Sequence, residues 1–427
     1  MSLPGDLAGW LAHLESRNRT AIVMGLERVR AVRDRLGLTV DFPILSVAGT
    51  NGKGSVCAYL EAMLLAAGVR VGRYTSPHLL RYNERVRIAG REASDSELCE
   101  AFVAVEAARG DTPLTYFEHG TLAALWLFRR AGVAAAVLEI GLGGRLDAVN
   151  LWDADCAVVT SIDLDHQAFL GDTREAIGFE KAGIFRAGRP AICGDRDPPS
   201  SLLRHAAALG TPLRRLGQEI EIRVAGEGWD LRVGDTEFTG LPRPAMAGAH
   251  QLDNAACAIA ALHAVAAHLP VPRAAIDAGL RHARQPGRFQ VLGERPLRIL
   301  DVAHNPHAAR ALAANLGALP KSPGARTFAV FAMLADKDVA GVIAPLLPYI
   351  DFWYAAGLDG PRGLSAPELV GLLAQAGAPH RGHASVAEAW RAACREAGPA
   401  DTICAFGSFL TVAEAMTESQ LARDTHV

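Results

Sequence analysis

The sequence predicts an α/β protein of two domains, and three observations lead there. At 427 residues the chain exceeds what one hydrophobic core usually spans. From Pro43 to about Cys193, short apolar runs alternate with longer amphipathic ones, the rhythm of a mainly parallel sheet covered by helices on both faces. The same rhythm restarts beyond "RQPGRFQ" (284–290), whose Pro-Gly punctuation reads as a hinge. The expected domains are therefore residues 1–286 and 287–427.

The elements follow in order. "PILSVAG" reads as a buried strand, Ser55–Ala67 as a helix and "VRVGRYT" as the next strand. His119–Arg130 reads as a helix, and "VAAAVLEI" and "DCAVVTSI" as two further strands. Residues 218–240 change to period-two alternation broken by Gly and Asp, which predicts a small antiparallel excursion. A helix over Gln251–His268 comes next. In the second domain "LRILDVA", "RTFAVFAML", "IDFWYAAG" and "DTICAFG" each precede a helical pattern.

Composition narrows the function classes. A charged fraction of 21% and a net charge of −3 leave no electrostatic footprint for nucleic acid or for a membrane surface. The seven cysteines include no C-x-x-C pair, which fits reduced thiols in a cytosol rather than a disulfide frame or a zinc site. The N-terminal stretch "MSLPGDLAGWLAHLESRNRT" lacks a basic start followed by an apolar core, so no secretion signal is expected. No apolar run reaches the roughly 18 residues of a membrane span. A cytoplasmic protein is the expectation.

In open parallel sheets, ligands collect at the carboxyl ends of the strands. The unusual polar residues sit there: Gly49–Ser55, Ser76, Glu139–Asn150, Asp163–His166 and Asp301–His304 each come after an apolar run. The first of these, in "VAGTNGKGS" (47–55), fails the common G-x-x-x-x-G-K-[ST] pattern, with Val47 where glycine belongs and Gly54 after the lysine. Its chemistry is nevertheless that of a P-loop-type phosphate site. Gly49, Gly52 and Gly54 let backbone N–H groups turn inward, a helix starts near Ser55, and Lys53 supplies a point charge. A plain glycine-rich turn is the alternative.

Glu139 comes after a run of apolar residues in "VAAAVLEI", where a carboxylate needs a partner. A magnesium ion on a bound triphosphate would satisfy it, and a buried ion pair with an arginine is the alternative. "GLGG" (141–144) is not a dinucleotide turn, because G-x-G-x-x-G needs glycine at 146 and Leu146 is there. Ser76 in "TSPHL" and His166 in "SIDLDH" are singly ordinary, but with Glu139 they make a mixed oxygen and nitrogen set at one sheet edge. Lys181 in "EKAGIF" lies in a helical stretch among small and apolar neighbours. A partly buried amine there could take up CO2 as a carbamate, although the residues alone favour a surface or salt-bridged lysine.

"AGTNGKGS", "TSPHL", "YNERVRI", "LTYFEHGTLAAL", "EIGLGGRLDAVN", "DLDH…LG", "EKAGIFR", "PGRFQ", "DVAHNPHAA" and "DKD" occur in this order. Together they resemble the bacterial bifunctional dihydrofolate synthase/folylpolyglutamate synthase family of the Mur ligase superfamily, from about residue 6 to residue 416. The resemblance implies a Rossmann-like C-terminal glutamate-ligase domain behind an ATP- and pterin-binding central domain. It implies ATP phosphates on Asn51, Gly52, Lys53, Gly54 and Ser55, with Asn254, Arg288 and Asp301 as further nucleotide contacts. Ser76, Glu139 and His166 match magnesium ligands, and Lys181 matches a carbamylated lysine; two Mg2+ ions are expected. Thr115, Tyr116, Phe117 and Glu118, with Leu146, Asp147 and Ala148, match the segments that hold dihydropteroate. His304 and Ser408 resemble residues around the glutamate. Ser55 stands where threonine is common, and both offer a hydroxyl.

The reaction implied joins the amine of L-glutamate to a carboxylate of dihydropteroate, and then of reduced folates, at the expense of ATP. A carboxylate is a poor electrophile, so it is first phosphorylated, and the amine displaces phosphate from the acyl phosphate. Lys53 and magnesium neutralise charge, Lys181 and His166 support the metal site, and closure about residue 287 would exclude water. The sequence forces no general base. A monomer is the default. A peptidoglycan-precursor ligase is the nearest rival, although only a short segment precedes Val47 where a UDP-sugar domain would sit. A silent ATP-binding regulator and a small-molecule kinase share the glycine loop but need neither the full Glu139, His166 and Lys181 set nor an amine-donor site.

Overall fold

The computed structural model describes residues 3–17 and 23–424. Parts of the N-terminal stretch and of the C-terminal domain's end, within the expected domain ranges, lie outside the described residues. The chain divides into two compact units, Met1–Ala245 with Leu252–Arg284, and Met246–Gln251 with Gln285–Val427.

The first unit is built on an eight-stranded sheet: β1 (Ile44–Ala48), β2 (Val71–Tyr74), β3 (Val86–Ile88), β4 (Arg91–Glu92), β5 (Ala135–Glu139), β6 (Cys156–Val159), β7 (Ala191–Cys193) and β8 (Leu213–Arg215). Their order across the sheet is β4-β3-β2-β5-β1-β6-β7-β8. The pairs from β2 to β8 are parallel, while β3 and β4 turn back antiparallel at one edge. β1 and β5 are buried at every position, as strands covered on both faces must be. The expected antiparallel excursion is present as a three-stranded sheet, β9 (Ile220–Ala225), β10 (Gly228–Val233) and β11 (Thr236–Pro242).

Register divides the large sheet into two faces. Tyr74 pairs with Leu138, and both join the core containing Phe102, Leu122 and Phe128 from the helices Asp95–Arg109 and Tyr116–Arg130. One residue along, Arg73 pairs with Val137 and Val47 pairs with Glu139, so these side chains point to the opposite face. There Arg73 meets Glu61 of the helix Lys53–Ala66 in a buried ion pair of 2.9 Å. The phosphate-loop helix and the Tyr116–Arg130 helix thus cover different faces of one sheet.

The second unit carries a six-stranded sheet of β12 (Gln290–Glu294), β13 (Leu297–Leu300), β14 (Thr327–Phe331), β15 (Phe352–Ala356), β16 (His380–His383) and β17 (Thr402–Phe406), in the order β12-β13-β17-β14-β15-β16. Only β12 is antiparallel to its neighbour, which gives the Rossmann-like arrangement expected. Three helix bounds differ from expectation. The phosphate-loop helix begins at Lys53 rather than Ser55, because Gly52 adopts a left-handed N-cap (φ 91°). The helix expected at His119 begins at Tyr116, where Thr115 and Glu118 form a capping box. The helix expected over Gln251–His268 runs His250–Ala264 and stops before Pro270.

Candidate active site

The glycine loop connects β1 to its helix, and its shape requires two of its glycines. A Cβ on Gly49 would come within 1.8 Å of the Thr160 hydroxyl, and one on Gly52 within 2.5 Å of the Asn254 side-chain oxygen. Asn254 is thereby placed directly against the loop. The loop is also fastened to the chain after β6. Thr50 N–H donates to the Ser161 carbonyl at 2.7 Å, and Asn51 N–H to the Ser161 hydroxyl at 3.1 Å. Thr160 Oγ1 donates to the Asn51 carbonyl at 2.6 Å, and Asp163 N–H to Thr50 Oγ1 at 3.1 Å. Lys53 Nζ donates to the carbonyls of Gly49 (2.9 Å) and Thr50 (3.1 Å), so its charge sits within the loop. Ser55 is buried in the first turn.

At the end of β2, Ser76 N–H donates to Glu139 Oε2 at 3.2 Å, joining two of the expected metal ligands. Glu139 is buried at the end of β5. The hydroxyl and the carboxylate suit a hard divalent cation that keeps part of its water, and His166 is the nitrogen member of the expected set. His166 is exposed and sits at φ 51°, a left-handed conformation uncommon for a residue with a Cβ, beside Asp165 (Nε2 to Oδ2 3.9 Å). Lys181 lies on the helix Arg174–Ala182 and is buried. Burial first, then the charge of Lys53, push its amine down to about 7, while Asp165 pulls the other way. Lys53, Lys181 and Asp165 therefore share one electrostatic environment. A surface lysine at 181 is excluded.

On the other face of the sheet is an aromatic cluster. The Phe117 ring packs where a Cβ on Gly141 would be, and lies 5.9 Å from the Tyr74 ring. Asp147 is buried beside it, its oxygens accepting from the N–H groups of Leu142 (2.8 Å) and Val149 (2.9 Å). Burial pushes its carboxyl up to about 7 against those donors and the charge of Lys53. Leu146 and Ala148 flank it, Leu146 accepting at its carbonyl from Gly25 N–H (3.4 Å). Thr115 and Glu118 have structural work: Glu118 N–H donates to Thr115 Oγ1 (3.1 Å), Thr115 N–H to Glu118 (2.7 Å), and Arg28 pairs with Glu118 (2.8 Å). Of that segment, Tyr116 and Phe117 are only half-buried.

In the second unit, Asp301 at the end of β13 accepts from Phe289 N–H (2.9 Å) and Ala303 N–H (2.8 Å), fixing Phe289 at φ 43° next to Arg288. The Arg288 guanidinium lies 5.3 Å from the Phe409 ring, and His304 is 6.1 Å from the same ring. Ser408 is buried and caps the helix Phe409–Asp424, accepting from Thr411 N–H at 3.0 Å. Sequence reasoning assigned no role to Thr160, Ser161 or Asn51's neighbour Thr50. Their signal was only their position after an apolar run.

Two family models match the chain, the Mur ligase middle domain over residues 47–262 and the Mur ligase glutamate ligase domain over residues 287–409. The dihydrofolate synthase/folylpolyglutamate synthase of Escherichia coli (strain K12) is 48% identical over 411 residues, covering 96% of this chain and 94% of that protein. The solved structure of E. coli FolC in complex with DHPP and ADP superposes with a TM-score of 0.94 at 47% identity, over 99% of this chain and 100% of that one. A bifunctional folylpolyglutamate synthase/dihydrofolate synthase solved with Mn, AMPPNP and L-glutamate bound gives 0.90 at 47% identity over the full length of both chains. This chain belongs to the Mur ligase family, among its dihydrofolate synthase/folylpolyglutamate synthases.

Proposed function

We propose that this ligase joins L-glutamate to dihydropteroate, forming dihydrofolate, and adds further glutamates to reduced folates. The observation that carries the reading is that one sheet edge presents both halves of the chemistry. A lysine-bearing phosphate loop lies beside the Ser76–Glu139 pair on one face, and an aromatic cluster with the buried Asp147 beside it lies on the other.

Asn51–Ser55 and Asn254 hold the ATP phosphates, with Arg288 and Asp301 as nucleotide contacts of the second unit. Ser76, Glu139, His166 and a carbamylated Lys181 hold two magnesium ions, which when bound neutralise the charge of the transferring phosphoryl group. The neutral Lys181 amine adds to CO2 to give a carbamate and one proton, so that a buried amine becomes an anionic ligand. Lys53 places its ammonium at the β- and γ-phosphates, and the loop N–H groups fix them in line with the acceptor carboxylate. Asp147 receives N–H donors of the pterin, and Tyr116 and Phe117 provide its apolar wall. His304 and Ser408 hold the incoming glutamate. Residues 1–286 and 287–427 serve as the ATP- and pterin-binding part and the glutamate-ligase part. The enzyme works as a cytoplasmic monomer; no described helix is long and apolar enough to cross a membrane.

The test is phosphate release from ATP with magnesium, offering dihydropteroate and L-glutamate singly and together. Release that requires both, with dihydrofolate formed in step, is expected. Release without glutamate would make the protein a kinase, and release only with tetrahydrofolate and glutamate would remove the dihydropteroate activity.

A further inference from the structure

Arg85 stands apart from three other arginines of the first unit. Arg28 pairs with Glu118, and Arg73 and Arg87 share Glu61. Among the described residues, no carboxylate lies within ion-pair distance of Arg85. Its Nε donates to Nδ1 of His78 at 2.8 Å, and its guanidinium lies 5.2 Å from the Tyr82 ring and 5.5 Å from the Tyr116 ring. The aromatic faces hold the side chain in one orientation without occupying its terminal N–H groups. Arg85 is half-buried, and its backbone carbonyl accepts from Thr75 N–H at 2.9 Å, one residue before Ser76. A rigid, half-accessible guanidinium of this kind is suited to bidentate capture of a carboxylate.

The sheet decides which carboxylate that is. Glu139 and the phosphate loop's helix lie on one face, whereas Tyr74 and the aromatic cluster lie on the other. The Arg85 guanidinium lies against Tyr82 and Tyr116, which pack into the same core as Tyr74. The carboxylate that is phosphorylated must meet the phosphate loop. An anion at Arg85 is a second one.

Building on the function proposed for this site, we propose that Arg85 is a specificity residue that binds the spectator α-carboxylate of a glutamyl-bearing folate. Dihydropteroate has no such group. One pocket thus serves two acceptors, and Arg85 favours the longer.

The test compares Arg85→Met and Arg85→Lys with the parent enzyme on dihydropteroate and on tetrahydrofolate monoglutamate. Loss of one charge-assisted contact should raise KM for tetrahydrofolate by about 10- to 100-fold in Arg85→Met, with kcat little changed and KM for dihydropteroate within about threefold. Arg85→Lys should recover part of the loss. A folate analogue bearing a 4-aminobutyrate tail, which keeps the γ-carboxylate and lacks the α, should bind the parent enzyme as weakly as tetrahydrofolate binds Arg85→Met. It should be indifferent to the substitution. Equal losses on both acceptors, no loss on either, or an analogue that still senses Arg85→Met would overturn the proposal. A parent enzyme that ligates glutamate to neither acceptor would instead remove the functional reading beneath it.

Discussion

Thr160 stands so close to Gly49 that a Cβ at residue 49 would come within 1.8 Å of its hydroxyl oxygen. Gly49 also holds φ at 149°, where other residues are strained. Gly49→Ala should therefore displace the phosphate loop and lose at least about 100-fold in ATP affinity, read by a fluorescent nucleotide, because the loop's N–H groups must converge on the phosphates. Thr160→Ala alone should be milder, since it removes one hydroxyl and leaves the backbone path.

Ser76 and Glu139 share a hydrogen bond, so both should answer to metal. Glu139→Gln keeps the shape and removes the charge. Its Mn2+ affinity, measured by electron paramagnetic resonance, should fall by at least about 10- to 100-fold. Chelation of the parent enzyme should abolish phosphate release, and magnesium should restore it. Unchanged Mn2+ binding would remove Glu139 from the metal site.

Lys181 is buried beside the charge of Lys53. Incubation with 13C-bicarbonate should yield a carbamate carbon resonance that Lys181→Met lacks. Activity should fall by about 100-fold or more in that variant, as expected for an electrostatic group at the transferring phosphoryl. A spectrum identical in the two proteins would mean the amine stays unmodified.

Asp147 makes stability depend on pH. Its carboxyl is raised from 3.8 to about 7 in the folded chain. Below pH 4 it is neutral in both folded and unfolded states. As pH rises from 4 to 7 the unfolded chain loses the proton first, so folding stability falls, and the full loss is reached above pH 7. A rise of roughly three pH units sets the scale at about 4 kcal/mol. Asp147→Asn should flatten this part of the curve in denaturant titrations of the nucleotide-free protein. A curve with the same slope in both proteins would show that Asp147 ionises normally.

Much of the candidate site was legible because strand ends announce themselves: an apolar run stops, and the next few residues lie at the carboxyl edge of the sheet. Glu139 and Gly49–Lys53 are found that way. The short edge strands were not. β3 and β4 together span five residues, and β16 reads "HRGH", with neither alternation nor an apolar run to mark it. β12 comes directly after the hinge motif and merges with it. Thr115 and Glu118 illustrate a different limit, since a motif marks the segment but not the capping box and the ion pair with Arg28 that these side chains make. The stitching of Thr50 and Asn51 to Thr160–Asp163 joins residues over 100 positions apart, beyond any local pattern.

That stitching gives the enzyme a built-in reporter. The Ser161 carbonyl, the Asp163 peptide and the hydroxyls of Thr160 and Ser161 are hydrogen-bonded to the glycine loop proposed to hold ATP, and His166 comes three residues after Asp163. Amide hydrogen exchange across 160–166 should slow when nucleotide alone is added, before any folate or glutamate is present. The segment that carries His166 would then register the nucleotide as it arrives, so that ATP prepares the opposite wall of the site for the later substrates.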